Sequence, residues 1–186
     1  MRKILLPVIL VVTLCPFCKI SAQRVALKTN ALQWALNSPN LEVEARLGRR
    51  LALDVAVLGS PLKWSIAGNR VNSIRFEPHL RYYFNRPMAR NFVSLDFGTG
   101  MYDAIIKKSA ADIKKHHGYY AQAGLSYGYA LVLSKNWNVE FTAGAGIARI
   151  REYEYPTDRE RTSNDIRSRW IPVLSNLGVT FSYIFE

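Results

Sequence analysis

The chain has 186 residues, a formal net charge of +11, 49% hydrophobic residues and 21% charged residues. That length holds one domain, and the apolar share is too high for a disordered or low-complexity polymer. A bundle of membrane-spanning helices is excluded too, because no run of about 18 apolar residues occurs.

A basic start, Arg2-Lys3, leads into the apolar stretch Ile4 to Leu14, broken by Thr13, and then into Pro16 and Lys19-Ile20-Ser21-Ala22. This three-part layout predicts a secretory signal peptide over residues 1–22, cut after Ala22. The only cysteines, Cys15 and Cys18, lie inside it. Their CxxC spacing is that of a redox pair, but they leave with the signal, so no disulfide or thiolate chemistry is expected in the exported chain. Removing Arg2, Lys3 and Lys19 leaves 22 basic against 14 acidic side chains, a net +8 over residues 23–186.

From Val25 onward, apolar residues recur at every second position, which predicts strands with one apolar and one polar face. In chain order the apolar rows are Val25-Leu27-Thr29-Ala31, Leu41-Val43-Ala45-Leu47, Leu51-Leu53-Val55-Val57, and Ile74-Phe76 continuing to Leu80-Tyr82-Phe84. There follow Val93-Leu95-Phe97 with Met101, Tyr119-Ala121-Ala123-Leu125-Tyr127-Tyr129, Trp137-Val139-Phe141-Ala143-Ala145-Ile147, and Leu177-Val179-Phe181-Tyr183-Phe185. These eight segments of roughly ten residues match the length with which a tilted strand crosses a bilayer. Pro78, inside the fourth, predicts a β-bulge.

The charges separate a membrane barrel from a soluble one. Lys28, Glu42, Glu44, Arg46, Asp54, Arg75, Glu77, Arg81, Asp96 and Glu140 all fall on the polar face, together with Gly98, Gly100, Gly124, Gly128, Gly144, Gly146 and Gly178. A soluble barrel would have to pack eight rows of Leu, Phe, Tyr and Trp into an interior too narrow for them. With the polar face inward, the glycines make room for long charged side chains, and the apolar face meets lipid. The expected fold is all-β: an eight-stranded antiparallel up-and-down transmembrane β-barrel over residues 23–186. Short turns at 48–50, 85–91 and 134–136 alternate with longer connections at 59–72, 104–118 and 151–170, placing the longer ones outside; only the first outer connection, around Asn37-Ser38-Pro39-Asn40, is tight. Aromatic girdles are expected from Trp34, Tyr102 and Tyr119 at the outer rim, and from Tyr82, Phe84, Tyr129, Trp137 and Phe185 at the inner rim.

Three blocks carry a resemblance. Val25-Ala26-Leu27-Lys28-Thr29-Asn30-Ala31-Leu32, Asn40-Leu41-Glu42-Val43-Glu44 and Glu77-Pro78-His79-Leu80-Arg81-Tyr82-Tyr83-Phe84 resemble a Bacteroidetes family of small outer-membrane barrels of unknown function. The resemblance implies the same fold and, because such proteins are often encoded near fimbrial genes, a link to surface structures. It brings no catalytic residues with it.

The ten strand charges predict a lumenal ion-pair network that plugs the barrel, with a selective pore as the competing use. His79 has Glu77 as its nearest carboxylate in sequence and no serine beside it at matching parity, Ser73 and Ser94 being closest, so catalysis is not expected. In the third outer connection, Lys107, Lys108, Lys114, Lys115, His116 and His117 form a basic patch suited to lipopolysaccharide phosphates. Adjacent histidines point opposite ways on a strand, so no metal site is expected there. In the fourth, Arg151, Arg159, Arg161, Arg167 and Arg169 balance Glu152, Glu154, Asp158, Glu160 and Asp165, with Tyr153 and Tyr155 as protein-contact residues. The sequence thus leads to an outer-membrane protein without a cofactor, in contact with outer-membrane lipid and a surface or fimbrial protein rather than nucleic acid. Its role is non-enzymatic, structural or interactive. A lipid A-modifying hydrolase or acyltransferase and a narrow channel are the alternatives. A carboxylate, a histidine and a serine converging at the outer rim would favour the enzyme, and a continuous lumen wider than a water molecule the channel.

Overall fold

The computed structural model describes residues 24–60, 65–66, 69–109, 112–156 and 166–185; among these, the side chains of 65–66, 69–71, 104–109, 112–116, 153–156 and 166–167 lie outside the description. The chain is all-β apart from one short helix. In order come β1 (Val25–Asn30), α1 (Ala31–Ala35), β2 (Asn40–Arg46), β3 (Leu51–Gly59), β4 (Ser65–Ile66), β5 (Asn69–Tyr83), β6 (Arg90–Ser109), β7 (Asp112–Val132), β8 (Trp137–Pro156) and β9 (Ile166–Phe185). Each long strand pairs antiparallel with the next. β3 pairs with β5, and β9 returns to β1, so eight strands form one up-and-down sheet with a closed ring of hydrogen bonds. The two-residue β4 only extends β5. Closure leaves no free edge around the ring, so its backbone N–H and C=O groups are satisfied by neighbours.

The period-2 pattern appears as alternating burial, with the polar row inside. Asp54, Glu44, Asp96 and Glu140 are completely buried, whereas Leu41, Phe76, Leu125, Tyr127 and Ile147 on the other face are each about half exposed or more.

The structure departs from the sequence reading in three places. Ala31 opens a helix instead of ending a strand, because the Asn30 side chain accepts from Leu32 N (3.0 Å) and Gln33 N (3.4 Å) and caps it. No bulge occurs at Pro78: the β5–β6 pairs Phe76↔Thr99 and His79↔Asp96 keep one register across it, and the pairing merely skips Glu77 and Pro78. A proline removes one donor without adding a residue, so a skipped bond suffices. The irregularities fall instead between Lys107 and Ser109 and between Gly144 and Gly146. Third, the connections expected at 104–118 and 151–170 are largely strand, since β6 and β7 pair out to Ser109↔Asp112 and β8 and β9 out to Tyr153↔Ile166. Ile105, Ile106 and Ile113 favour strand, and charges on both faces hid the alternation there.

The short turns 47–50, 84–89 and 133–136 lie at one end of the ring with Val25 and Phe185. In the 84–89 turn, Met88 and, just beyond it, Arg90 take positive φ (63° and 61°). Met88 is thereby buried with Ala26 and Ile184, and Asn138 Nδ2 donates to its carbonyl (2.5 Å). Tyr83 and Phe92 pack beside Ala52 and Ala130 at the same end.

Candidate functional site

The interior holds the chemistry. Behind the apolar stopper of Met88, Tyr83 and Phe92 lies a cluster drawn from five strands. Lys28 Nζ reaches Glu44 Oε2 and Glu140 Oε2, each at 2.6 Å, with Asp54 Oδ2 at 3.8 Å. Arg81 spans the same carboxylates through Nη1 to Glu44 (3.2 Å) and Glu140 (2.7 Å), and through Nη2 to Asp54 (2.5 Å). Tyr83 donates its hydroxyl to Glu44 Oε1 (2.7 Å), and the guanidinium lies 4.8 Å from the centre of the Phe92 ring. Two cations thus face three carboxylates, all without solvent contact or nearly so. The pairing is incomplete: among the described residues Asp54 Oδ1 and Glu140 Oε1 accept no hydrogen bond, and Arg81 Nε donates none.

The third strand makes this meeting possible. Ala52 and Ala56 flank Asp54 on its inward face, so the side chains of β2 and β5 reach over it.

A second cluster surrounds Asp96. His79 Nδ1 lies 3.0 Å from Asp96 Oδ1, Ser94 Oγ donates to that oxygen (2.6 Å), as does Ser126 Oγ (3.2 Å), and Ser175 Oγ donates to Oδ2 (2.8 Å). Space for the serines comes from glycine: a Cβ on Gly124 would collide with the Ser175 side chain, and one on Gly144 with Ser126 Cβ. Ser175 faces inward because the irregularity at Gly144/Gly146 shifts the register of β9, the re-aiming that a bulge provides. A carboxylate, a histidine and serines therefore do converge, which the spacing around His79 did not anticipate. Yet these hydroxyls reach Asp96 and, between Ser94 and Ser126 (2.5 Å), each other, and no serine–histidine hydrogen bond occurs among the described residues. The arrangement holds the His79 ring against Asp96, with the serines on the carboxylate rather than on the imidazole.

The remaining predicted residues lie apart from the first cluster. Arg75 donates from Nη2 to Gln33 Oε1 (3.1 Å) and Ser38 Oγ (2.8 Å), and its Nη1 pairs with Glu77 at 3.4 Å. It thereby ties the β1–β2 connection across the end of the ring away from the turns. Among the described residues Arg46 makes no ion pair; its Nε donates to Gly48 O (2.9 Å) in the β2–β3 turn. Glu42 is buried on the cavity side of Lys28. The backbones of Lys107, Lys108, Lys114, Lys115 and His116 belong to β6 and β7, while their side chains lie outside the described residues. His117 bonds the Asp103 carboxylate and stands edge-on to Tyr119.

Sequence reasoning missed Tyr83, Met88, Phe92, Ser126 and Ser175, and weighed Ser94 beside His79 only to set it aside. All but Met88 and Ser175 had a readable signal, since Tyr83 shares parity with Arg81, Phe92 with Asp96, and Ser94 and Ser126 with the polar rows of their strands. Met88 depends on a turn with positive φ and Ser175 on a bulge, and neither follows from alternation.

No curated protein and no solved structure matches the chain. Residues 8–185 match a family described as "Protein of unknown function (DUF3575)", and the chain belongs to that family.

Proposed function

We propose that the protein is an outer-membrane β-barrel, sealed by its own interior side chains, with a non-enzymatic role at the cell surface. The observation that carries this reading is the inverted burial. Completely buried Glu44, Asp54, Asp96 and Glu140 stand behind a wall on which Leu125, Ile147, Trp170 and Leu174 are each more than half exposed. In water such a continuous apolar belt is unfavourable and drives association; against lipid it is the stable arrangement. Export over residues 1–22 fits the same destination. With the turn end in the periplasm, the overrunning parts of β6 to β9 project outward as the contact surface. The resemblance to Bacteroidetes barrels encoded near fimbrial genes supports a surface protein as partner, and the basic residues 107–117 support lipopolysaccharide phosphates as a second contact.

The sealed turn end weighs against a channel. The meeting of Asp96, His79 and serines is the observation that favours an enzyme instead, and the direction of the hydroxyls weighs against it. The test is expression of the full chain in a Gram-negative host. Recovery in the outer membrane, with unboiled protein migrating differently from boiled protein on a detergent gel, is the expected result. Soluble periplasmic protein without that shift overturns the reading.

A further inference from the structure

At the end of the ring away from the turns, a cavity of about 630 Å³ opens between α1 and strands β3, β5 and β9. His79 and Ser175 line it, so the Asp96 cluster forms part of its wall. Asn30, Gln33, Ser60, Ser73 and Gln122 add neutral hydrogen-bonding groups. Glu42 faces it too, only 7% exposed.

Glu42 is the unusual member. Among the described residues its carboxylate has neither a hydrogen bond nor an ion pair, although the register sets it opposite Lys28. The nearby cations are already held: Lys28 by Glu44 and Glu140, Arg81 by those two and Asp54, Arg75 by Gln33, Ser38 and Glu77. The neighbouring cluster carries one carboxylate more than it has cations, so Glu42 adds to a local negative excess. A carboxylate that opens on a cavity and has no protein donor is available to a donor arriving there.

We propose that this cavity is a binding site for a small hydroxylated primary amine of about amino-sugar size, with Glu42 as the anchor for its ammonium. An ammonium needs one carboxylate and nearby neutral acceptors, which the cavity supplies. A metal ion needs more: no group of three or more His, Asp or Glu suited to a metal occurs among the described residues. The amide and hydroxyl side chains on the wall suit the hydroxyls of the same ligand. The site stands whether or not the ring sits in a membrane; only the side from which the ligand arrives depends on that reading.

The test is calorimetric titration of the full chain, folded in detergent micelles, with glucosamine and with glucose at matched ionic strength. Glucosamine should bind saturably. Glucose should bind at least about tenfold more weakly, and Glu42→Gln should weaken glucosamine by at least about tenfold. Ser60→Trp, which narrows the cavity without touching the carboxylate, should also weaken it. Gel migration of unboiled protein verifies that each variant is folded. Equal binding of the two sugars, an unchanged Glu42→Gln, or the absence of saturable glucosamine binding by the wild type overturns the proposal. Outer-membrane recovery decides the membrane reading separately.

Discussion

Arg81 touches three carboxylates and Lys28 touches the same three, at distances from 2.5 to 3.8 Å, where water does not reach. Desolvating that many charges is expensive, so the cluster gives specificity of closure more than net stability. Removing one cation is a different matter, because it leaves three carboxylates facing Lys28 alone. Arg81→Ala should cost about 3–5 kcal/mol, and Arg81→Lys should recover only part of this, since a lysine has no planar two-pronged guanidinium to reach Asp54 through one nitrogen and Glu140 through the other. Urea unfolding midpoints in lipid vesicles would measure both; an Arg81→Ala midpoint equal to wild type would show that water screens the cluster. Gly144 gives a second local prediction. A Cβ there meets Ser126 Cβ, the Leu125 carbonyl at 2.7 Å and Ser175 Oγ at 2.8 Å, while one on Gly48 meets nothing within 4 Å. Gly144→Ala should therefore destabilise by roughly 1–3 kcal/mol and Gly48→Ala by less than about 0.5 kcal/mol, read from the same midpoints. The inward row of charges was legible in the sequence because parity alone assigns a face. Which charges meet was not. Lys28 and Glu140 sit on β1 and β8 with β9 between them, and only ring closure and stagger bring them within 2.6 Å.

Strand β8 shows both faces of the sheet in two alanines five residues apart. Ala143 points outward, paired with Tyr127 and Leu177, while Ala148 is 2% exposed within the ring. If lipid surrounds the ring, Ala143→Arg near the bilayer midplane should cost about 2–4 kcal/mol. If water surrounds it, an exposed arginine should cost less than about 0.5 kcal/mol. Unfolding the same variant from bilayer vesicles distinguishes the two, and a neutral result would remove the membrane reading. The strands that form the ring were legible, since two-residue alternation is a strong signal wherever one face is apolar. Their outer extents were not. Beyond Met101 in β6 and Ile147 in β8 the apolar row gives way to mixed polar residues, and hydrogen bonding to the neighbouring strand continues without it. Helix α1 escaped for the opposite reason: Ala31 fitted the alternation, and the Asn30 cap overrode it.

Three layers follow one another along the interior: Met88 with Tyr83 and Phe92 at the turn end, the Lys28–Arg81 cluster, and then the cavity walled by His79, Ser175 and Glu42. The cavity is thus blind on the side of the turns. An eight-stranded ring is just wide enough for side chains to fill it, and here the filling includes the two long cations whose charged ends are locked by carboxylates. An ion crossing would have to separate those pairs and then displace a packed apolar stopper held by the Asn138–Met88 hydrogen bond. Wild-type protein in planar bilayers should therefore show no steady conductance. Arg81→Ala removes the largest fully buried side chain among the described residues, leaving a carboxylate-lined gap, so this variant should raise the leak and favour cations over anions. The double variant Arg81→Ala with Tyr83→Ala opens the second barrier as well and should conduct more than either single variant. Steady, selective current through the wild type would mean that the layers move apart without mutation, and the channel would replace the sealed barrel as the function.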